Sequence, residues 1–403
     1  MILRENYLNK ITKFIDKDII KVLTGVRRCG KSVMLTQIRD EVIKKGADNE
    51  QIIMINFEKL EYTNLLDAYS LDSYIKAIAK KVNKKVYIFL DEIQNVKEWE
   101  KAVNSLKVSI DCDIYITGSN AKLLSSELAT HLAGRYVQFE IYPFSFKEFK
   151  TAYLSNKQIS DKDCFKEYMK LGGMPFLYNL DFDEELSNTY LNDVFNTVVL
   201  KDIVERNEVR DPSLLINVIK YCINNMGNSF SASSISKYFK SLNIKVSTET
   251  VLNYIRYCLE CFLLLETKKE DVQGKETLGG NSKYYLVDHS LKQLIFSNNK
   301  KDINMVLENI VYLELLRRGY KVSVGYNKTK EIDFIAKKGE EIKYIQVTYI
   351  LATDEVIDRE FGAFKGIVDN YPKYVLSLDD FDLSRNGIKH LNIIDFLLDN
   401  TNF

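Results

Sequence analysis

The stretch Gly25-Val26-Arg27-Arg28-Cys29-Gly30-Lys31-Ser32 limits what this chain can fold into more than any other. It follows the apolar run Ile19-Ile20-Lys21-Val22-Leu23-Thr24 and precedes apolar residues at helical spacing: Val33, Leu35, Ile38, Val42 and Ile43. Glycines let the backbone wrap into a nest of N–H groups at the start of a helix, where the helix dipole favours a phosphate. Lys31 adds a full positive charge, and Ser32 places a hydroxyl where a Mg²⁺ ion on that phosphate needs a ligand. The spacing predicts strand, phosphate loop and helix in succession, and with them a parallel sheet, because a crossover helix brings the chain back to begin a strand in the same direction.

Further β-like runs follow at 52–57, 86–90, 113–117 and 136–141, separated by stretches of helical spacing. Strands this continuously apolar are covered on both faces, so the first 145 residues read as an α/β domain. In such a sheet, side chains at the carboxyl ends of the strands face the ligand crevice. Asp91-Glu92 ends one run, and Thr117, Ser119 and Asn120 end another. Asp91 is suited to hold Mg²⁺ through water, and Glu92 to polarise an attacking water. Ser119 or Asn120 can touch a γ-phosphate, although either also fits as a helix N-cap.

The β signal stops at Pro143, and the pattern is helical to Arg210, with turns at "LGGMP" and "RDPS". From 213 to 295, helical stretches precede "FLLLETKK" and "KYYLVD", which flank a glycine-containing turn; helices followed by a two-stranded ribbon predict a winged helix-turn-helix. Its second helix offers Asn253 and Arg256 beside Glu249 and Glu260. Its ribbon offers Lys268, Lys269, Lys275 and Lys283, offset by Glu266, Glu270, Asp271 and Glu276. DNA binding and contact between domains are both open for this unit. The last hundred residues read as a third unit, again α/β, with strands near 321–326, 331–336, 342–350 and 373–378.

Lys+Arg and Asp+Glu both number 56, so no global field draws the chain to nucleic acid or an anionic membrane. No apolar run approaches the roughly 18 residues of a membrane helix, and the cytoplasm is the expected location. The six cysteines are dispersed. Cys258 and Cys261 form a C-x-x-C without a second pair or a nearby His, and are expected as buried thiols.

Phosphate loop, Asp-Glu pair and polar strand end, in this order across five strands, resemble an AAA-type ATPase of the additional-strand class. The fuller layout is similar to a prokaryotic family of such P-loop ATPases over nearly the whole chain: "TGVRRCGKS", "FLDEIQ", "ITGSNAKLLSSELATHLAGR", "PFSFKEF", "GGMP" and "KDIVER", then a winged helix and a nuclease-like region. The resemblance implies a P-loop NTPase sheet of order 5-1-4-3-2 over 1–145, a helical lid or connector over 146–212, a winged helix over 213–295, and a restriction-endonuclease-like PD-(D/E)xK domain over 296–403. It implies ATP held by residues 25–32 with Mg²⁺ at Ser32 and Asp91. It also implies a charge-stabilising arginine from the chain or a neighbouring copy, with Arg135 in "LAGRY" ahead of Arg206 and Arg210, and a homo-oligomer as an expected assembly.

In the nuclease-like region Glu308 and Asp333 supply acids, but Gln346-Val347-Thr348 stands where active members carry an acid, one residue and a lysine. Gln is a neutral donor and Thr lacks the ammonium, so metal affinity and water activation both fall, and the fold is expected without strand cleavage. The function expected is ATP binding and hydrolysis coupled to movement of C-terminal interaction domains. A slow nucleotide-dependent switch and a DNA-acting ATPase with residual nuclease activity are the alternatives, and a protein partner is not legible.

Overall fold

The computed structural model describes residues 2–119, 134–155, 158–272, 277–296, 302–327, 330–399, 401 and 403, with backbone alone at 277–281. The chain divides into two compact units, Met1–Tyr142 with Glu260–Phe262, and Pro143–Leu259 with Leu263–Phe403.

The first unit carries helix α1 (Glu5–Ile11) and five strands: β1 (Ile20–Thr24), β2 (Ile52–Asn56), β3 (Val86–Asp91), β4 (Cys112–Gly118) and β5 (Tyr136–Glu140). They form one sheet in the order β2-β3-β4-β1-β5, and every pairing is parallel. Read from the other edge, this is the expected 5-1-4-3-2. Every residue of β1 and β4 is buried, because helices α2 (Lys31–Lys44), α3 (Ala68–Val82) and α4 (Trp99–Ser109) cover the sheet. On one side, Ile20, Val22, Ile88, Leu90, Ile114 and Ile116 pack with Leu71, Ile75, Val103 and Leu106. In α2 the buried apolar stripe is Met34, Leu35, Ile38 and Val42, while Val33, expected in it, is exposed.

Lys21 lies mid-strand with no exposure. Burial pulls its pKa down, opposed by the Asp113 carboxylate, which it meets in a short ion pair. Asp113 also accepts from Tyr115 Oη at 2.8 Å and Asp16 N at 2.9 Å, so this buried charge pair has the extra hydrogen bonds that make such a pair tolerable.

The second unit begins with helices Phe146–Tyr153, Asp161–Leu171 and Glu184–Thr197, the last running into a π-helical turn at Val198–Glu205. Ser145 and Glu148 form a reciprocal capping box at the first of them. The turn at "LGGMP" needs its first glycine: Gly172 has φ +79°, and a Cβ there would lie 2.1 Å from Asp288 Oδ1. Asp288 Oδ2 accepts from Gly173 N at 2.8 Å.

After helix Pro212–Asn224 come β6 (Ser229–Phe230), helices Ala232–Ser241 and Thr248–Glu260, and the hairpin β7 (Leu264–Asp271) and β8 (Thr277–Leu286). Helices Ser290–Phe296 and Ile303–Arg317 lead to β9 (Lys321–Asn327), β10 (Lys330–Lys338) and β11 (Glu341–Val347). Helix Asp354–Gly362, β12 (Lys373–Ser377), β13 (Lys389–Asn392) and helix Ile393–Leu397 complete the chain. β6 to β13 form one eight-stranded sheet, ordered β13-β12-β11-β10-β9-β7-β8-β6. The join is a parallel pairing of β7 with β9, Lys269 against Val324 through Asp271 against Tyr326. The ribbon expected within 213–295 and the strands expected within 296–403 therefore share backbone hydrogen bonds.

Among the described residues no helix is long and apolar enough to cross a membrane. All six cysteines are buried thiols.

Candidate active site

The loop after β1 is shaped by left-handed residues: Gly25 at φ +143°, Arg28 at +68° and Gly30 at +98°. A Cβ on Gly25 would lie 2.2 Å from the carbonyl oxygen of Ile141, just beyond β5, so only glycine fits where the loop leaves the sheet. Gly30 opens α2, and the helix begins at Lys31. The Lys31 ammonium is buried and donates to the carbonyls of Gly25 and Val26 at 3.0 and 3.1 Å. Arg27 turns to Glu58 at 3.3 Å, and the Arg28 and Ser32 side chains are exposed. Cys29 is fully buried, and burial pushes its thiol pKa up, which removes the thiolate that a redox switch at this position requires.

β3 delivers Asp91 and Glu92 to the same sheet edge. Asp91 Oδ1 accepts from Thr117 Oγ1 at 2.5 Å, and Oδ2 from Asn56 Nδ2 at 2.9 Å. The Thr117 oxygen also accepts from Glu92 N at 3.0 Å. One hydroxyl thus couples the two acids. Glu92 sits at φ +55°, ψ +47°, a strained conformation for a residue with a Cβ. Its carboxylate is largely buried and takes a short hydrogen bond from the Gln94 amide. Ser119 has no exposure, and its Oγ finds no hydrogen-bond partner among the described residues. Asn120 lies outside them.

Sequence reasoning missed two supports. Asn56 carried the same signal as Asp91, a polar residue ending an apolar strand, yet its grip on Asp91 was not foreseen. Arg4 carried no local signal at all. It is 1% exposed, lies over the Tyr7 ring at 4.6 Å, and donates to the carbonyls of Cys29 at 3.1 Å and Tyr142 at 2.9 Å. It braces the phosphate loop from behind.

The structure does not bring Arg135 to this chain's own phosphate loop. Arg135 precedes β5, is exposed, and its carbonyl accepts from Ile20 N at 2.9 Å. Since Ile20 pairs with Tyr136 and Thr24 with Glu140, Arg135 is level with Ile19 at the opposite end of the sheet, roughly 20 Å from Gly25 at 3.3 Å per residue. Arg206 reaches back to Asp202 at 3.7 Å.

The second predicted group does converge. Glu308, Asp333, Gln346 and Thr348 line one pocket of about 390 Å³ with Glu331, Arg359 and Glu360. Gln346 is not free to act as an oxygen donor, because its Oε1 accepts from Asp333 N at 2.8 Å and its Nε2 donates to the buried Glu360 at 2.9 Å. Asp333 Oδ2 accepts from Val347 N at 2.8 Å. Burial, and then the Glu308 charge, push the Asp333 pKa well up.

Two of the ribbon's four cations are committed elsewhere. Lys283, expected on its surface, is buried between Glu308 and Glu331, and Lys269 lies over the Tyr326 ring at 4.8 Å. Lys268 is exposed, and Lys275 lies outside the described residues.

The AAA domain model matches residues 17–150, and a model for a domain of unknown function matches residues 162–302. An uncharacterized protein of Haemophilus influenzae is 41% identical over 401 residues, 99% of each chain. Uncharacterized protein MJ1544 of Methanocaldococcus jannaschii is 33% identical over 408 residues, covering 96% of this chain and 89% of that one. The chain belongs to the same family as these two proteins. In fold it is similar to the Walker-type ATPase PABY2304 of Pyrococcus abyssi, with a TM-score of 0.51 and 15% identity across 73% of this chain and 96% of that one.

Proposed function

We propose that this AAA-domain protein binds and hydrolyses ATP with Mg²⁺ and couples its nucleotide state to movement of the C-terminal unit. The observation that carries the reading is the coupled acid pair: Asp91 and Glu92 end a central strand beside the phosphate loop and are tied together by Thr117. In this reading the loop N–H groups and Lys31 bind the phosphates, with Lys31 exchanging its two loop carbonyls for phosphate oxygens. Ser32 and Asp91 are the residues that would hold Mg²⁺, which supplies charge neutralisation on the phosphates. Glu92 orients the attacking water and accepts its proton. Ser119, a buried hydroxyl without a partner among the described residues, supplies the hydrogen bond that registers the γ-phosphate. Asn120 shares that role in our reading. Arg135, at the far end of the sheet, acts on the nucleotide of a neighbouring copy, which makes a homo-oligomer part of the proposal.

A slower binding switch is favoured by one feature, the Gln94 amide that engages the Glu92 carboxylate. We read the helices and ribbon of 213–295 as a winged helix serving domain contact, because the ribbon is hydrogen-bonded to β9 and Lys269 and Lys283 have internal partners. The last unit we read as a nuclease-like fold without strand cleavage.

The test is phosphate release with and without Mg²⁺, and with and without DNA. Loss of release in both Lys31→Ala and Glu92→Gln is expected; wild-type turnover in both variants sinks the hydrolase reading. Turnover near background with nucleotide-dependent particle size selects the switch. Metal-dependent DNA cleavage lost in Asp333→Ala selects the nuclease.

A further inference from the structure

Two of the acids that line the pocket, Glu308 and Glu331, meet a buried cation behind it, in addition to Lys330 and Arg359 in its wall. Lys283, on β8 of the ribbon, is 3% exposed. Its ammonium lies 2.9 Å from Glu308 Oε1 on helix Ile303–Arg317 and 2.6 Å from Glu331 Oε1 on β10. Tyr285, two residues along β8, donates to the same Glu308 oxygen at 2.6 Å. The strand thus directs an ammonium and a phenol from one face into the acid cluster, as the two-residue period of a strand requires.

A fold of this kind implies a divalent ion held by Glu308 and Asp333, and the residues present do not fit one. Glu308 Oε1 already accepts from Lys283 and Tyr285. Asp333 Oδ2 accepts a backbone N–H, and the Gln346 oxygen is engaged. A divalent ion among these acids would also face a fixed ammonium of like charge across a buried site, where screening is weak. Among the described residues, no group of three or more His, Cys, Asp or Glu side chains is arranged to hold a metal.

We infer that the Lys283 ammonium is the resident cation of the Glu308 and Glu331 carboxylates, in place of a divalent metal, and that it fastens the ribbon to helix Ile303–Arg317 and β10. A monovalent, tethered cation offsets part of the acids' charge and ties three elements together, but presents no open coordination position for water or a phosphodiester. The inference concerns a different unit from the nucleotide site and stands or falls independently of ATP hydrolysis.

The experiment is Mn²⁺ titration of the nucleotide-free full chain, following free Mn²⁺ by its electron paramagnetic resonance signal, for wild type, Asp333→Asn, Lys283→Met and the double variant. Wild type and Asp333→Asn should take up Mn²⁺ identically, since any uptake at Ser32 and Asp91 is common to both. Lys283→Met should gain one further Mn²⁺ per chain, lost again in the double variant, and Lys283→Arg should gain none. Wild-type uptake that Asp333→Asn removes overturns the inference. So does a folded Lys283→Met, judged by circular dichroism, that binds no more Mn²⁺ than wild type. If Lys283→Met does not fold, the comparison of wild type with Asp333→Asn decides alone: equal uptake supports the inference and unequal uptake overturns it.

Discussion

Thr117→Val removes a single hydroxyl at nearly constant volume, and the structure says what that hydroxyl holds. It donates to Asp91 Oδ1 at 2.5 Å and accepts from Glu92 N at 3.0 Å, with Thr117 itself fully buried. A hydrogen bond to a charged group contributes about 1.5–3 kcal/mol, and a buried N–H left without an acceptor costs about 1–3 kcal/mol. The two share one oxygen and do not add fully, so about 3 kcal/mol is the expected loss. Asp91 keeps Asn56, whereas Glu92 loses the contact that holds its strained backbone. If two-thirds or more of the loss appears in the transition state, kcat for ATP falls roughly 30- to 140-fold at about 1.4 kcal/mol per decade. KM should stay within about threefold, because the loop and Lys31 are untouched. Melting of the unit should drop by roughly 10 °C. Steady-state phosphate release and calorimetry measure both quantities, with Thr117→Ser, which keeps the oxygen, as the control. A Thr117→Val protein with wild-type kcat and an unshifted melt would refute the claim that this hydroxyl couples the acids.

Asp113→Ala strands the buried Lys21 ammonium and should cost about 3–5 kcal/mol by denaturant titration, far more than removal of an exposed pair such as Lys44 with Glu41. Burial pushes Glu140 up to about 7, with the Tyr142 hydrogen bond pulling the other way. A folded pKa above the unfolded value means stability that is full below about pH 4.5 and is lost as pH rises through 7, so Glu140→Gln should match wild type near pH 4 and exceed it by roughly 3 kcal/mol at pH 8. Arg4→Met unties the Cys29 and Tyr142 carbonyls; ATP affinity, followed with a fluorescent analogue, should weaken about tenfold while the β-sheet circular dichroism is unchanged.

The nucleotide site was legible because its signals are local. Gly25, Gly30, Lys31 and Ser32 are fixed by the backbone path of one loop, and Asp91, Thr117 and Ser119 betray themselves as polar residues ending apolar runs. The strand order followed from the family resemblance and agrees with the pairings. Whether Arg135 serves its own loop or that of a neighbouring copy was left open, because a motif's position along the chain does not say at which end of a strand it lies. The register of β5 on β1 puts it opposite the phosphates. Lys283 was read as a ribbon surface cation for a related reason: alternation along β8 defines two faces, but not which of them meets Glu308.

By itself the sequence determined the parallel α/β domain, its phosphate loop and the acid pair, since each is specified by residues within one turn or one strand of each other. Only the tertiary structure decided which groups support that site and which cation meets Glu308 and Glu331. Arg4 reaches Tyr142 across 138 positions and Lys283 reaches Glu308 across 25. Such contacts are set by sheet register and by the need of a buried charge for a partner, and neither is written in the spacing of residues along the chain.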